Sequence, residues 1–389
     1  MRFVLQQSLL SNLTSADELS LQHLLLSLMN ARPIEAPLVL SPPYEPGTSN
    51  PRVDTWVARL SSALADEVPG FLARSNVQFS GPLGGAVKSA AMPPLYQFVP
   101  APEIFVERRN NDVSDWRSLR LTIQDALDLY MEPLHLVLEN ARHDFAFVRY
   151  LCLPDDGQLL TRLEEAPGRV QIHGGGAGEA KKWLEELLRE PPSPVMWRRV
   201  LRTWVLFDQD AGDSDATHPS KSAQEMIKVC ERVSAAYGGA GVSWSCLGRR
   251  EIESYTPDRG LREIAGSVRA ALADKIVSWR ASTAHGGAVD RRHFAWAFDL
   301  KKGLTGDRLA SETKGREEIK PHDLKAPFNS LSDAEVQSLM QGLGKRFLND
   351  ALGSDPAPRW LSEVPDEYDR GPAHQAPRHS LVRSLLDRI

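Results

Sequence analysis

The sequence lacks the marks of a disulfide-stabilised, zinc-binding or membrane-spanning protein. Its three cysteines, Cys152, Cys230 and Cys246, lie far apart in a chain of 389 residues and form no CxxC pair. That spacing argues against a disulfide framework or a structural zinc site and is typical of a reducing compartment. The leucine-rich opening stretch is interrupted by polar side chains, so it lacks the continuous apolar run of a signal peptide or membrane span. We expect a cytoplasmic protein that makes no membrane contact.

An excess of basic charge is also absent. The formal net charge is -5 at pH 7, so any contact with nucleic acid must come from local arginine and lysine patches. A phosphate-binding P-loop is missing as well. The run GPLGGAVKS ends in Lys-Ser, but Val87 stands where the motif needs glycine. Any ATPase that works with this protein would therefore be a separate chain.

The length of the chain and the distribution of its apolar runs predict several structural units, because one hydrophobic core rarely organises a chain this long. Residues 1–130 are rich in proline and glycine, which predicts an irregular mixed N-terminal domain of unknown role. Residues 131–270 are predicted to form the catalytic domain, and residues 271–352 are predicted to be a mainly helical extension. The tail, residues 353–389, ends in HSLVRSLLDRI, which predicts either a docking helix or disordered chain.

Within residues 131–270, short apolar runs alternate with helical patterns. The runs are LHLVLE (134–139), RVQIH (169–173), TWVLF (203–207) and GVSWSCLG (241–248). Strands that are each followed by a helix predict an α/β fold with a Rossmann-like parallel sheet and helices on both faces. In such a sheet, ligands bind beyond the carboxyl ends of the strands.

Acidic residues follow three of these predicted strands. Glu139 ends the first, Asp208 and Asp210 end the third, and the Glu251/Glu253 pair follows the fourth. Because residues i and i+2 of an extended strand point to the same side, we expect Asp208 and Asp210 to face one cation.

Asp144 lies five residues after Glu139, on the first turn of the next predicted helix. It is either a further ligand at the same edge or a helix cap.

Carboxylates that converge at one edge repel one another, and a divalent cation relieves that repulsion. Ligation by oxygen alone predicts Mg²⁺ or Mn²⁺. Phosphoryl chemistry with two ions follows naturally, because one ion can activate a water and the other can stabilise the leaving oxygen.

The ordered series of strands and acids resembles the Toprim domain, in the form found in OLD-family nucleases and stand-alone Toprim effectors of anti-phage defence. The resemblance covers about residues 132–256, and it rests on LVLEN with Asp144, a second strand running into HGGGAG, VLFDQDAGD and GRREIESY. It implies that Glu139 is the first glutamate, a metal ligand or general base. It also implies that Asp208 and Asp210 are the DxD metal ligands and that Glu253 is the late acid, with Glu251 as the alternative.

The segment FAWAFDLKKGL resembles the lysine-glycine stretch that follows the Toprim core in these nucleases. The resemblance implies that Lys302 is the catalytic lysine, with Lys301 as the second choice. A cation there would stabilise the negative charge that develops on the scissile phosphate. The alternative is a solvated pair of surface lysines.

Further residues are candidates for contacts to phosphate. The glycine run 173–178 is either a phosphate cradle or a tight turn between strand and helix. Basic side chains near the predicted site are candidate nucleic-acid contacts or ordinary surface residues. They are Arg249, Arg250, Lys301, Arg291 and Arg292.

Together these features predict a Mg²⁺- or Mn²⁺-dependent endonuclease that hydrolyses phosphodiester bonds in DNA or RNA. By analogy with Toprim defence effectors, we expect a separate ABC-type or SMC-like ATPase as its partner. Whether the chain forms a homo-oligomer stays open. The alternatives are a phosphatase with a DxD motif and a non-catalytic Toprim-like scaffold that binds nucleic acid or a protein partner.

Overall fold

The computed structural model describes most of the chain, and every structural statement below refers to the described residues. These are residues 1–31, 38–45, 47–77, 95–99, 103–107, 118–189, 191–210, 219–238, 241–282, 292–304, 331–370 and 376–389. Arg291 and the run GPLGGAVKS lie outside them.

The described strands form two sheets. They are β1 (Arg2–Gln6), β2 (Leu38–Ser41), β3 (Tyr96–Gln97), β4 (Glu103–Val106), β5 (Ser118–Leu121), β6 (Leu134–Leu138), β7 (Val170–His173), β8 (Thr203–Phe207) and β9 (Ser243–Cys246).

Helices cover the sheets and make up the C-terminal part of the chain. They are α1 (Gln7–Leu10), α2 (Ser15–Ala31), α3 (Pro51–Val57), α4 (Ser62–Val77), α5 (Ile123–Met131), α6 (Ala141–Leu151), α7 (Pro154–Glu165), α8 (Ala177–Glu186), α9 (Pro194–Leu201), α10 (Lys221–Ala236), α11 (Asp258–Ala265), α12 (Ala270–Arg280), α13 (Arg292–Ala297), α14 (Asp333–Leu339), α15 (Phe347–Leu352), α16 (Val364–Asp369) and α17 (Arg378–Leu386). Short 3-10 helices span Ile252–Tyr255 and Arg359–Glu363. None of the described helices combines the length and the apolar character needed to cross a membrane.

The N-terminal region contains a regular sheet, which corrects the expectation of an irregular domain. Its strand order is β2-β1-β4-β5, and all three pairings are parallel. Phe3 and Leu5 of β1 share a core with Leu24 and Leu25 of α2. The sequence hid this sheet because its strands pair across long stretches of chain and lie among runs rich in proline and glycine.

The second sheet has the order β3-β9-β8-β6-β7, in which only β3 is antiparallel to its neighbour. Its four parallel strands, β6 to β9, are the four that the apolar runs predicted. Side chains of β6 alternate between two cores, since Leu136 and Leu138 pack against α6 whereas Val137 packs towards α8 and α10. The α/β class with a parallel sheet between layers of helices is therefore confirmed. The edge strand β3 comes from the range 1–130, although it belongs to this sheet.

The strand order places a topological switch point between β6 and β8. After β6 the chain adds β7 on one side, then crosses β6 and adds β8 on the other side. The connections on either side of this point run in opposite directions, which leaves a crevice at the carboxyl ends of β6 and β8. Any ligand of this sheet is expected in that crevice.

The C-terminal region is mainly helical, and it packs into the same core as the second sheet. Trp279 of α12, Phe298 after α13 and Leu385 of α17 are buried in that core together with Leu136 and Leu138. The tail thus contains a docked helix.

A buried ion-pair network ties this helical region to the segment after β9. The Glu367 carboxylate in α16 accepts a hydrogen bond from Arg249 at 2.6 Å and lies 3.6 Å from an Arg280 nitrogen. Both arginines also donate to the Ser254 carbonyl, at 2.6 and 2.8 Å. Because these charged groups are buried, each depends on the others for its stabilisation.

Replacing Glu367 by alanine is expected to lower the free energy of unfolding by about 3–5 kcal/mol, because the buried Arg249 guanidinium loses its counter-ion and Arg280 keeps only Asp258. The matched control is Glu363→Ala, which removes a largely exposed partner of Arg259 and is expected to cost less than about 1 kcal/mol. Denaturant titration of the two variants checks this. Equal losses would show that the buried network does not stabilise the fold in this way.

Candidate active site

Carboxyl groups from three strand ends meet at the switch point of the second sheet. Glu139 directly follows β6, Asp208 directly follows β8, and Glu251 and Glu253 follow β9. Glu139 lies close enough to Asp210 and Asp144 for their charges to act on it, and its own charge acts on Asp208. The site-forming acids predicted from the sequence are therefore brought together.

The backbone at Glu139 is fixed by the glycine turn after β7. The Glu139 carbonyl accepts hydrogen bonds from the Gly176 amide at 2.8 Å and the Gly175 amide at 3.3 Å. A Cβ at Gly174 would lie 2.8 Å from the Ala141 nitrogen, so no other residue fits that close approach. The glycine run is a tight turn that positions Glu139. Two of its amides are already engaged and are not directed at a phosphate.

Asp144 makes a helix-capping contact and also lies within the acid cluster. Its carboxylate accepts a hydrogen bond from the Asn140 amide at 2.8 Å, which caps the start of α6. It is also buried among the other acids. Burial raises its pKa to about 7 against the lowering effect of the Asn140 hydrogen bond, and the charge of Glu253 raises it further.

The two aspartates after β8 are not presented by a regular strand. The strand ends at Phe207, and Asp210 has a φ of 49°, the only positive φ of a non-glycine residue in the described chain. Its amide donates to the Arg250 carbonyl at 2.8 Å, which holds the turn in place. The strand alternation on which the pairing of Asp208 with Asp210 was based therefore ends at Phe207. The backbone turns through the left-handed region at Asp210. Asp208 is half-buried and Asp210 is exposed.

Glu251 and Glu253 are both in the site, so the structure does not single out one of them as the late acid. They flank the start of the 3-10 helix after β9, and their exposed fractions are 3% and 4%. The Lys301 ammonium bridges them, at 2.8 Å from Glu251 and 3.2 Å from Glu253. Burial and the neighbouring Glu253 charge raise the pKa of Glu251 to about 8, in spite of Lys301.

Lys301, and not Lys302, provides the ammonium group within the acid cluster. Although desolvation opposes it, contact with the two glutamates raises the pKa of Lys301 above its usual value. Lys302 is largely exposed and lies 3.8 Å from Asp299. The conformation of the turn that contains them decides which of the two adjacent lysines faces the acids, and the sequence does not show that conformation.

Close backbone packing orients the Lys301 turn. Gly303 has a φ of 69°, and a Cβ there would lie 2.6 Å from the Gly342 nitrogen. A Cβ at Gly342 would in turn lie 2.5 Å from the carbonyl carbon of Lys301. The Gly344 amide donates to the Lys301 carbonyl at 3.1 Å. The two glycines thus permit the contact that directs Lys301 towards the acids.

The arginines after β9 are structural, which corrects the expectation that they contact nucleic acid. Arg249 is 1% exposed and pairs with Glu367. Arg250 donates to the Ala297 carbonyl at 3.0 Å and lies 3.5 Å from Asp299. Asp299 is a buried carboxylate that the sequence analysis missed. Its position two residues before Lys301, in FDLKKGL, was the available signal.

Mutual repulsion and burial dominate the electrostatics of the site. Burial, followed by the charges of Asp210 and Asp144, raises the pKa of Glu139 to about 8. The pKa of Asp208 lies well above its ordinary value, because of burial and then the charges of Glu139 and Asp144. The cluster therefore holds protons at a pH where isolated carboxyl groups have lost them.

The donor chemistry of the cluster fits a hard divalent cation. All candidate ligands are carboxylates, and Oε1 of Glu251 and Oε2 of Glu253 are buried without a hydrogen-bond partner. The geometry is not closed around an ion: within the described residues, no three Asp, Glu, His or Cys side chains form a ready-made metal site. A bound cation would have to draw the carboxylates together.

The raised pKa values predict how the stability of the metal-free protein depends on pH. Glu139, Asp144 and Glu251 keep protons to about pH 8, 7 and 8 in the folded state, whereas in the unfolded chain they lose them near pH 4 to 4.5. The folded state binds more protons in this window, so the free energy of unfolding should fall as the pH rises.

Denaturant titrations in EDTA, from about pH 5.5 to about pH 8.5, measure this fall. The control is Glu253→Gln, which removes the charge that raises the pKa of both Asp144 and Glu251 and should make the fall shallower. The same pH dependence in the wild type and Glu253→Gln would contradict the electrostatic account.

The chain shows no match to known proteins from which a family could be assigned. No protein-family model matches it, and neither a curated protein nor a solved structure does. What can be said of this site therefore rests on its own residues and geometry.

Proposed function

We propose that the protein is a divalent-metal-dependent endonuclease of the Toprim type, which hydrolyses phosphodiester bonds in DNA or RNA. The observation that carries the proposal is the convergence of Glu139, Asp208, Glu251 and Glu253 at the switch point of the parallel sheet, with Lys301 among them. A cluster of carboxylates with raised pKa values in a ligand-binding crevice is the arrangement expected of a functional site.

The proposed cofactor is Mg²⁺ or Mn²⁺, with two ions as the preferred number. Glu139, Asp144, Asp208, Asp210 and the Glu251/Glu253 pair would hold it. When bound, such ions lower the pKa of a water and stabilise the leaving oxygen of a phosphodiester.

Glu139 is the proposed general base. It is half-buried at the end of β6, beside Asp210 and Asp144, where a carboxylate could take a proton from an attacking water.

Lys301 is the proposed cation for the phosphate. Its ammonium lies within the acid cluster and is held by Glu251 and Glu253. Negative charge that develops on the phosphoryl oxygens would be stabilised by a preorganised ammonium group in this position. Lys302, the choice from resemblance, points towards Asp299 and is the weaker candidate.

A role in anti-phage defence, with a separate ABC-type or SMC-like ATPase and in the cytoplasm, is proposed from the resemblance to Toprim effectors alone. The absence of a P-loop motif from the sequence is compatible with such a division of labour.

The first test is cleavage of plasmid, linear DNA and total RNA in Mg²⁺ or Mn²⁺. We expect Asp208→Ala and Glu139→Gln to lower the rate by about 100-fold or more, because each removes a group that ligates the cation or moves the proton. EDTA should abolish cleavage of the same substrates.

The control is Asp274→Asn, which changes an exposed carboxylate of α12 that pairs with Arg262 and should leave the rate unchanged. Hydrolysis of a small chromogenic phosphate monoester without nucleic-acid cleavage would favour the phosphatase. Cation binding without turnover on any substrate would favour the scaffold.

The second test separates the two lysines. Lys301→Ala should lower the cleavage rate by about 100-fold, the usual effect of losing one donor to a developing oxyanion. Lys302→Ala should change it by less than about threefold, since its side chain is largely exposed. Unfolding midpoints of both variants establish that the effect is on the chemistry. A larger loss in Lys302→Ala would overturn the assignment of Lys301.

A further inference from the structure

An arginine-lined cleft lies away from the acid cluster, at the other end of α6. Its volume is about 830 Å³, and its lining combines residues at the end of α6 with residues 358–366 and the start of α17. Four arginines line it: Arg149, Arg259, Arg359 and Arg378. The cleft also contains the carboxylates of Glu363 and Asp366, so guanidinium groups outnumber acids two to one.

Two arginines of the cleft, Arg259 and Arg359, are the most available to an anion. Arg359 is exposed and makes no side-chain hydrogen bond or ion pair to any residue within the described chain. Arg259 pairs with Glu363 at 3.5 Å, and both side chains are largely exposed. Arg378 pairs with Asp369, also at 3.5 Å. Exposed pairs of this kind contribute little, so a phosphate group can compete for these guanidinium groups.

Apolar side chains form the rest of the lining. Tyr150 is half-buried at the end of α6, and Leu153, next to it in the cleft, is 65% exposed. Pro358 and Leu361 belong to the same lining. Arginines combined with an aromatic ring and an exposed leucine suit a ligand that has both phosphate groups and a planar apolar part.

The cleft is separate from the proposed catalytic site. Asp144 is the member of the acid cluster that lies furthest along α6, and Tyr150 follows about 9 Å later on the helix axis. Arg149 and Tyr150 are at the far end of α6, and none of the residues that line the cleft belongs to the acid cluster. A phosphate in the cleft is therefore not the phosphate that the acid cluster would cleave.

We propose that this cleft is a binding site for a mononucleotide or dinucleotide. Its phosphate groups would contact Arg259 and Arg359, and its base would pack on Tyr150 and Leu153. The volume of the cleft is in the range of sites for small molecules. A short segment of nucleic acid would share the chemistry but needs a track that continues beyond the cleft.

The site also adjoins the network that holds the catalytic segment. Asp366 lines the cleft, and the next residue is Glu367. Glu367 pairs with Arg249 and Arg280. Both arginines donate hydrogen bonds to the Ser254 carbonyl. A ligand in the cleft would therefore contact helix α16, which supports the segment that contains Glu251 and Glu253.

The experiment measures binding of ATP, AMP and NAD⁺ to the full chain by calorimetry in EDTA, so that no divalent ion contributes. Arg359→Glu and Arg259→Glu should each weaken binding at least about tenfold, because a carboxylate replaces a phosphate-binding cation. Both arginines are exposed, so the fold should be retained. The matched control is Arg189→Glu, an equally exposed arginine at the end of α8, which should bind like the wild type.

Asp208→Ala should bind these nucleotides unchanged, which makes the result independent of the proposed nuclease activity. Three outcomes would overturn the proposal. They are no binding of any of the three probes, equal binding by inorganic phosphate and nucleotides, and binding of a short single-stranded oligonucleotide in place of the nucleotides. The last would assign the cleft to nucleic acid.

Discussion

Carboxyl groups buried at one edge of a sheet repel one another, and the rest of the site is arranged around that repulsion. Glu139, Asp208 and Glu251 all have raised pKa values, because burial and neighbouring acids disfavour their charged forms. Lys301 supplies a cation in contact with two of the acids. A fold optimised only for stability would replace such a cluster with apolar side chains. Its presence in the crevice where open α/β sheets bind ligands is therefore the strongest sign of function in the chain.

A left-handed turn, close backbone packing at two glycines and a buried ion pair hold these charged side chains in place. Asp210 is in the left-handed region, a conformation that costs free energy for a residue with a Cβ. Gly174 and Gly342 allow close contact of two chain segments, one beside Glu139 and one beside Lys301. Glu367, which is far along the chain, clamps the segment after β9 through Arg249. Positions around the site thus depend on parts of the chain that are distant in sequence.

Features that depend on residues close together in the sequence could be predicted. Features that depend on contacts between distant residues could not. The apolar runs located β6 to β9 within a few residues, and the strand-end rule gathered Glu139, Asp208 and the Glu251/Glu253 pair, since both depend on local pattern and sheet geometry. The N-terminal sheet was missed because its strands do not alternate regularly with helical patterns and lie among runs rich in proline and glycine. The role of Asp144 could not be decided from the sequence, because a helix cap and a member of the acid cluster would occupy the same position.

The errors concerned side-chain direction. Lys302 was preferred to Lys301, yet the turn at Gly303 decides which of the two faces the acids. Arg249 was expected at the surface, but its partner Glu367 lies 118 residues further along the chain. Such pairings cannot be derived from spacing, because they depend on how the C-terminal helices dock onto the sheet.

The central claim is that the acid cluster is a divalent-cation centre, and the most direct measurement is the binding of Mn²⁺ by electron paramagnetic resonance. The account predicts that the wild-type chain binds Mn²⁺ and that Asp208→Asn, still folded, loses that binding. It also predicts tighter binding as the pH rises towards 8, because the carboxyl groups must lose their protons. Failure of the folded wild-type protein to bind Mn²⁺ near pH 8, or equal binding by Asp208→Asn, would contradict it.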